Sequence, residues 1–332
     1  IHSLPSTGAP PLAISWESLS KMGAIFSRMC MLTLPCFVQL APLAPTSCGT
    51  ARSILRKSKA TRDALAGKAA VVTGVTIGGA GFHTAQALAL EAGMALFLCG
   101  RSIDKVRDAA RAITEDAARN NKPKPVLFQI LLDLDDLNDV VRASKDITTI
   151  LNRDFGGKLQ ILVNNAGAAR TQYVLTKQGV EPNTGANYLA PFLLTRNLLP
   201  SLRAAHGATP CPPRIVNVSS LGHAAGLNYS PPALLAAPHK GGTPDIPRGV
   251  IVEDPARGDG RLTWANKGIG PILMYAISKN MQVSHCRALA RRERENGVLA
   301  VSCHPGSIAS NFGAALGMIA RIYYGWLGVF QY

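Results

Sequence analysis

The sequence lacks the features that define several whole classes of protein. No apolar run reaches the roughly 18–20 residues that a membrane-spanning helix needs, which excludes a multi-span membrane protein. No Gly-X-Y or heptad period appears, which excludes collagen-like and coiled-coil chains. Charged residues make up only 17% of the chain and hydrophobic residues 47%. A disordered chain is therefore excluded too, because such chains are poor in apolar residues and rich in charge.

Spacings typical of disulfide frameworks and metal sites are also missing. The seven cysteines are odd in number and contain no C-x-x-C, so neither a disulfide framework nor a zinc site is indicated. The seven histidines show no H-x-x-x-H spacing. We therefore predict no metal site and a reducing compartment.

Acidic residues are few: there are 20, against 35 lysines and arginines, which gives a formal net charge of +15. Such a balance attracts anions, including nucleic acid, anionic lipid and phosphorylated cofactors. The basic residues are scattered, however, and form no stripe with interleaved aromatic residues. We predict no nucleic-acid partner and assign most of the charge to a solvated surface and a basic N-terminal segment.

Residues 1–66 lack the alternating strand and helix patterns of the rest of the chain and are predicted to be a leader. An apolar stretch, Met29–Ala44, carries two prolines and is followed by a basic cluster within Arg52–Lys59. Three interpretations stay open: residues 22–44 associate with a membrane with the basic cluster on the cytosolic side, the segment is an organelle presequence, or it is a disordered extension. The predicted location is accordingly membrane-associated and facing the cytosol, or organellar.

Residues 67–332 alternate strand and helix patterns and are predicted to form one domain. This alternation implies right-handed crossovers and a parallel sheet with helices on both faces. The predicted fold class is α/β, a doubly wound, Rossmann-like sheet in three αβα layers, in which ligands bind beyond the carboxyl ends of the strands. The predicted strands are Ala69–Thr73, Met94–Cys99, Pro125–Leu132, Leu159–Val163, Arg214–Val218 and Leu299–Cys303.

A proline- and glycine-rich insertion at residues 222–271 interrupts this alternation. It contains Pro231-Pro232 and Gly241-Gly242 together with several further prolines and glycines. Connections of this length are usually lids or disordered segments, and the sequence leaves both interpretations open.

A glycine-rich turn joins the first predicted strand to the first helix. It reads Thr73-Gly-Val-Thr-Ile-Gly-Gly-Ala-Gly81. Glycines in such a turn let the backbone approach a pyrophosphate, which the free N–H groups and dipole of the helix N-terminus then favour. The predicted cofactor contacts in the turn are Gly74, Gly78, Gly79 and Gly81.

The residue that follows the second strand indicates which nicotinamide cofactor is bound. Sites for NAD usually carry an acid about 20 residues beyond the glycines, on the ribose hydroxyls. Position 101 holds arginine instead, and Lys105 lies one helical turn later. Because a guanidinium pairs with a 2′-phosphate, we predict NADP(H) as the cofactor, with Arg101 and Lys105 among its contacts.

Taken in order, the motifs of residues 67–332 resemble those of the short-chain dehydrogenase/reductase family. The segment Arg214–His223 is most similar to the retinol dehydrogenase and protochlorophyllide reductase members. The resemblance implies that Asp133 contacts the adenine and that further cofactor contacts come from the other motifs. These motifs are the glycine turn, Asp133-Leu134, Asn164-Asn165-Ala166-Gly167, Ser219-Ser220, Tyr275-Ala-Ile-Ser-Lys279 and Pro305-Gly306.

The catalytic assignment combines helix geometry with this resemblance. Tyr275 and Lys279 are four positions apart, so they share one helix face. A phenol has a pKa of about 10, and a nearby ammonium lowers it toward the working range of an acid–base group. Tyr275 is then the general acid or base, and Lys279 also binds the nicotinamide ribose. The resemblance implies that Ser220 holds the substrate oxygen and that Asn187 holds a relay water near the lysine.

The predicted function is NADPH-dependent hydride transfer between the nicotinamide and a carbonyl or alcohol of an apolar substrate, such as a retinoid-, steroid- or quinone-like compound. Two alternatives stay open: a non-catalytic cofactor-binding or interaction protein, and a light-dependent tetrapyrrole reductase. Two features depart from the family pattern: the glycine turn holds one extra residue, and Ser220 precedes Tyr275 by 55 positions, a gap that contains the insertion. Members of the family often pair through two long helices, so a homodimer is expected.

Overall fold

The computed structural model describes residues 50–170, 174–224 and 270–305. Within these ranges six strands form one parallel sheet of order β3-β2-β1-β4-β5-β6. This confirms the predicted doubly wound, Rossmann-like α/β fold. The strand order reverses between β1 and β4, the position at which such sheets bind their ligands. The strands are β1 Ala69–Thr73, β2 Ala95–Gly100, β3 Leu127–Leu131, β4 Ile161–Asn164, β5 Arg214–Val218 and β6 Leu299–Cys303.

Helices connect the strands and cover both faces of the sheet. A π-helical turn at Gly185–Leu189 lies between the sixth and seventh helices. The helices in the described ranges are α1 Ala51–Lys57, α2 Lys59–Leu65, α3 Ala80–Ala92, α4 Ile103–Arg119, α5 Leu137–Phe155, α6 Pro182–Thr184, α7 Ala190–Ala204 and α8 Gly270–Arg292.

The core consists of two apolar layers, one on each face of the sheet. Every residue of β1 is buried, because a strand in the middle of a parallel sheet is covered on both faces. Alternate residues point in opposite directions, so Ala70 and Val72 pack in the layer that contains α3 and α4. Ala69 and Val71 pack in the layer that contains α5 and α7.

Two short helices lie within the segment predicted to be a leader, and they contact the body. The side chain of Glu91, on α3, is 3% exposed and accepts hydrogen bonds from Arg52 and Arg56 of α1 and from Lys122. Burial raises the pKa of Glu91, but these three hydrogen bonds outweigh it and lower the pKa to about 2. Residues 22–44 lie outside the described residues, and no helix of the described ranges is long and apolar enough to span a membrane.

The long helices differ in detail from their sequence patterns. Helix α8 begins at Gly270, so the last residues of the predicted insertion belong to a helix, and residues 225–269 lie outside the described part of the chain. Pro271 fits there because the first turn of a helix needs no N–H partner for its backbone. The predicted helical stretch from Gln178 begins instead at Pro182, and its π-helical turn contains Asn187.

Candidate functional site

The turns that follow β1 and β4 are tied together by hydrogen bonds. The hydroxyl of Thr73 accepts from the backbone N–H groups of Asn165 and Ala166 at 3.1 and 3.0 Å. The Asn165 amide donates to the carbonyls of Thr73 and Gly74 at 2.8 and 3.3 Å. Thr73 is 2% exposed, so its hydroxyl fixes the spacing between the glycine turn and the Asn164–Gly167 motif. Sequence reasoning did not assign a role to Thr73 or Asn165, although both flank predicted cofactor contacts.

The structure distinguishes the glycines of the turn from one another. Gly81 lies in the first turn of α3, where a Cβ atom would be 2.4 Å from Asn165 Nδ2 and 2.6 Å from the Gly74 oxygen. A Cβ atom on Gly74 would lie 2.9 Å from the Ala166 Cα. Gly78, with φ of +80°, protrudes and has nothing within 4 Å of the corresponding position. Gly74 and Gly81 therefore form the tight contacts of the turn, and Gly78 lies in its exposed part.

Helix α3 presents its N-terminus at this turn. Gly79 is its N-cap, and no side chain caps the helix there. The first backbone N–H groups of a helix have no partner within it and carry a partial positive charge. Together with the tight glycine contacts, this end of α3 is suited to a phosphate group.

Lys279 lies in the interior, beneath the carboxyl end of β5. It is 3% exposed, and its ammonium donates to the Val218 carbonyl at 2.9 Å and to the Gln282 amide oxygen at 3.2 Å. Its Nζ lies 5.8 Å from the centre of the Tyr275 ring, as the spacing of four residues on one helix predicts. Burial lowers the pKa of Lys279 to about 8, against a smaller opposing effect of Cys303.

Ser220 and Tyr275 flank the same backbone, although 55 positions separate them in sequence. A Cβ atom on Gly222 would lie 3.4 Å from the Ser220 Oγ and 3.5 Å from the Tyr275 Cε1. The Gly222 N–H also donates to the Ser220 Oγ at 3.1 Å. The start of α8 therefore returns to the end of β5, and the structure places the Ser220 hydroxyl and the Tyr275 ring beside the same glycine.

Asn187 lies in the π-helical turn and is fully buried. Its side-chain oxygen accepts from the Ala168 N–H at 2.8 Å, and its amide donates to the Ala168 carbonyl at 2.9 Å and to Ser278 at 3.0 Å. A Cβ atom on Gly167 would lie 3.0 Å from the Lys279 Nζ and 3.1 Å from the Asn187 Oδ1. Gly167 is therefore the point where the turn after β4, Asn187 and the lysine meet.

Charged groups cluster near the carboxyl ends of β2 and β3. The Arg101 side chain is 71% exposed, and its guanidinium lies 3.7 Å from the Asp135 carboxylate. That carboxylate also forms an ion pair and a hydrogen bond with Arg170. Lys105 is exposed on α4, and Asp133 accepts a hydrogen bond from the Asp135 N–H at 3.1 Å. The sequence pattern did not single out Asp135, because nothing in a run of acidic residues shows which of them faces Arg101.

The remaining predicted cofactor contacts lie at the strand ends or outside the described residues. Asn164 is buried at the end of β4 and donates to Thr195 and Asn217 at 3.0 and 2.9 Å. Pro305 follows β6 and is exposed, and Gly306 lies outside the described part of the chain. Apart from Gly306, the predicted residues collect at one edge of the sheet.

Several known proteins are similar in sequence to this chain over most of its length. The sequence model of short chain dehydrogenases matches residues 68–231. An uncharacterized oxidoreductase of Schizosaccharomyces pombe is 35% identical over 245 residues, which cover 74% of this chain and 61% of that one. Retinol dehydrogenase 13 of Mus musculus is 30% identical over 81% of this chain and 66% of its own length. The chain thus spans less than two thirds of the Schizosaccharomyces pombe relative.

One further relative and one solved structure are also similar to this chain. A short-chain dehydrogenase/reductase of Armillaria gallica is 32% identical over 74% of this chain and 67% of its own length. The structure of L-sorbose reductase from Gluconobacter frateurii, complexed with NADPH and L-sorbose, has a TM-score of 0.51 at 20% identity, over 80% of this chain and 79% of that one. The latter likeness shows the fold alone. With its motifs in order on a doubly wound sheet and relatives of this kind, the chain belongs to the short-chain dehydrogenase/reductase family.

Proposed function

We propose that this chain is an NADP(H)-dependent oxidoreductase that interconverts an alcohol and a carbonyl, with Tyr275 as the general acid or base. The observation that carries the proposal is the convergence of Ser220, Tyr275 and Lys279 at the carboxyl edge of the sheet. Tyr275 and Lys279 come from one helix, α8. Ser220 follows the end of β5 and precedes Tyr275 by 55 positions in the sequence.

The residues at the edge of the sheet fit a dinucleotide. The uncapped N-terminus of α3 suits a pyrophosphate, and Gly74 and Gly81 leave no space for a side chain between the turn and its neighbours. Asp133 lies after β3, where the family resemblance assigns an adenine contact. When bound, a reduced nicotinamide supplies a hydride to a carbonyl carbon.

Arg101 supports the phosphorylated form of the cofactor. Its 3.7 Å pair with Asp135 is long, and exposed pairs contribute only about 0–1 kcal/mol. Diverting this guanidinium to a 2′-phosphate therefore costs little, and the new pair carries more charge. Lys105, exposed one turn into α4, adds a second cation on the same side.

The proton chemistry depends on the chain's own groups. The Lys279 ammonium, 5.8 Å from the centre of the Tyr275 ring, is a positive charge that favours the ionised form of a phenol, which acid–base exchange with the substrate requires. Ser220 donates a hydrogen bond to the substrate oxygen and fixes it beside the phenol. Asn187 is held on the Ala168 backbone and connects to α8 through Ser278, where it orients the proton path near Lys279.

The proposed substrate is an apolar alcohol or carbonyl, of the retinoid, steroid or quinone kind. The support is the similarity to retinol dehydrogenase 13 of Mus musculus and retinol dehydrogenase 11 of Homo sapiens, which is 31% identical over 246 residues. The test is NADPH oxidation by the purified protein with retinal, a steroid ketone and a quinone.

The Tyr275→Phe variant tests the catalytic assignment. We expect it to lose turnover and to keep NADPH binding, because only the hydroxyl is removed. Tyr188→Phe is the matched control, since the Tyr188 ring packs against Phe192 and His285. Unchanged turnover in Tyr275→Phe would remove Tyr275 from the mechanism, and NADPH binding without turnover in the wild type would favour a non-catalytic protein.

Calorimetric titration of NADPH and NADH tests the cofactor assignment. We expect the wild type to prefer NADPH, and Arg101→Ala to lose most of this preference with little change for NADH. Arg107→Ala is the control, because the Arg107 side chain on α4 is 62% exposed, against 71% for Arg101, and pairs with Asp104 on the same helix. An equal effect on both nucleotides would contradict a 2′-phosphate contact.

A further inference from the structure

Gln282 lies one helical turn beyond Lys279 and shares its interior. It is 2% exposed, and its side-chain oxygen accepts from the Lys279 ammonium at 3.2 Å. The ammonium has three N–H donors, of which one goes to Gln282 and one to the Val218 carbonyl. These two contacts hold the ammonium between a strand end and its own helix, and they account for two of its three donors within the described part of the chain.

The orientation of the Gln282 amide follows from its neighbour. A flipped amide would place its NH2 group against an ammonium, donor against donor, so the oxygen must face Lys279. The Nε2 atom is then buried without a hydrogen-bond partner in the described part of the chain. An unsatisfied buried donor costs about 1–3 kcal/mol, so stability alone does not favour glutamine at this position.

The chemical character of position 282 matters because Lys279 is surrounded by neutral groups. The titratable groups that face it from the described elements are the phenol of Tyr275 on α8 and the thiol of Cys303 on β6. The contacts from the other sides are the Val218 carbonyl and the region of Gly167 and Asn187. No carboxylate among the described residues makes a direct contact with this ammonium.

We propose that Gln282 is a positioning residue that holds the Lys279 ammonium in place between β5 and α8 and sets the range of pH over which it stays charged. The inference rests on the proposed function for its catalytic meaning. An amide oxygen orients the ammonium and stabilises its charge in part, whereas a carboxylate would form a full ion pair there and an alkyl group would do neither. Glutamine thus keeps the ammonium charged at neutral pH but available to the phenol.

Two substitutions of similar size test this in opposite directions. Gln282→Glu places a carboxylate against the ammonium, and we expect it to raise the pKa of Lys279 by about one unit or more. Gln282→Leu removes the acceptor from a buried charge, and we expect it to lower that pKa by about one unit. The measurement is a ¹³C NMR titration of the lysine ε-carbons, with the Lys279 signal assigned by its loss in Lys279→Met.

The same two variants are expected to move the alkaline limb of the pH–activity profile. The limb should move to higher pH in Gln282→Glu and to lower pH in Gln282→Leu. Asn280→Leu is the control, because Asn280 is buried on the same helix but donates to the His223 carbonyl instead; its limb should stay in place. Gln282→Asn, which keeps the amide but shortens it, should fall between Gln282→Leu and the wild type.

The outcomes separate this inference from the proposed function. One Lys279 pKa common to the wild type, Gln282→Glu and Gln282→Leu would overturn the role of Gln282, whatever the activity. A wild type that binds NADPH but turns over no substrate would overturn the proposed function, while the NMR titration would still decide whether Gln282 controls Lys279. Opposite pKa shifts with parallel shifts of the activity limb would support both.

Discussion

Replacing Gly81 with alanine tests the tight contact between the glycine turn and the turn after β4. The new methyl group would lie 2.4 Å from Asn165 Nδ2 and 2.6 Å from the Gly74 oxygen, distances that real Cβ atoms do not tolerate. Overpacking of this kind costs about 1–3 kcal/mol. The shift of Asn165 would also weaken its two hydrogen bonds, to Thr73 and Gly74, at about 1 kcal/mol each. We therefore expect a loss of roughly 3–5 kcal/mol in the free energy of unfolding.

Gly78→Ala provides the matched control within the same turn. Its methyl group meets nothing within 4 Å, so only the positive φ of +80° is unfavourable, at about 1–2 kcal/mol. The assay is urea denaturation with the slope checked for constancy, together with calorimetric titration of NADPH. Gly81→Ala should lose more stability than Gly78→Ala and should also bind NADPH more weakly, because the clash displaces the start of α3.

Equal losses of stability in the two variants would refute the reasoning, since the contact distances would then have no consequence. A larger loss of stability in Gly78→Ala than in Gly81→Ala would place the close approach at position 78 instead of position 81. Crystal structures of the two variants would show which backbone has moved.

Three further predictions concern charges. Glu91→Gln should destabilise the protein by roughly 1–3 kcal/mol at pH 7, since it removes the nearly buried carboxylate from ion pairs with partly exposed partners. Because the pKa of Glu91 is lowered in the folded protein, this stability is present above the unfolded pKa and is lost as pH falls toward 2. The wild type and the variant should therefore converge in acid denaturation. Lys279→Met should remove a rise in stability between about pH 8 and pH 10, where the unfolded chain still binds the proton that the buried amine has released, as measured by urea midpoints against the wild type. Asp135→Asn should strengthen NADPH binding severalfold and leave NADH binding nearly unchanged, because the carboxylate competes with a 2′-phosphate for Arg101; weaker binding of both nucleotides would instead show that Asp135 supports the loop.

Local spacing and chain order were sufficient to predict the architecture. Alternating apolar strands and amphipathic helices predict a parallel, doubly wound sheet, because strand and helix periods are properties of the backbone. The four-residue spacing of Tyr275 and Lys279 likewise predicts their approach, since one helical turn separates them wherever the helix lies. The order of the motifs also indicated the family: apart from the Tyr275–Lys279 pair on α8, each motif follows a strand, and all of these strands end at one edge of the sheet.

Contacts between distant segments depended on the tertiary structure. Gly78 needs glycine for its positive φ, which is a local property of the turn, whereas Gly81 needs glycine because it meets the Asn165 side chain of a distant segment. The approach of Ser220 to Tyr275 across 55 positions, and the docking of α1 on Glu91, likewise arise from the way β5, α3 and α8 pack. The sequence by itself determined which chemical groups are present and how far apart they lie along each element. The tertiary structure decided which of them meet, because hydrogen-bond distances and burial depend on how separate elements are placed together.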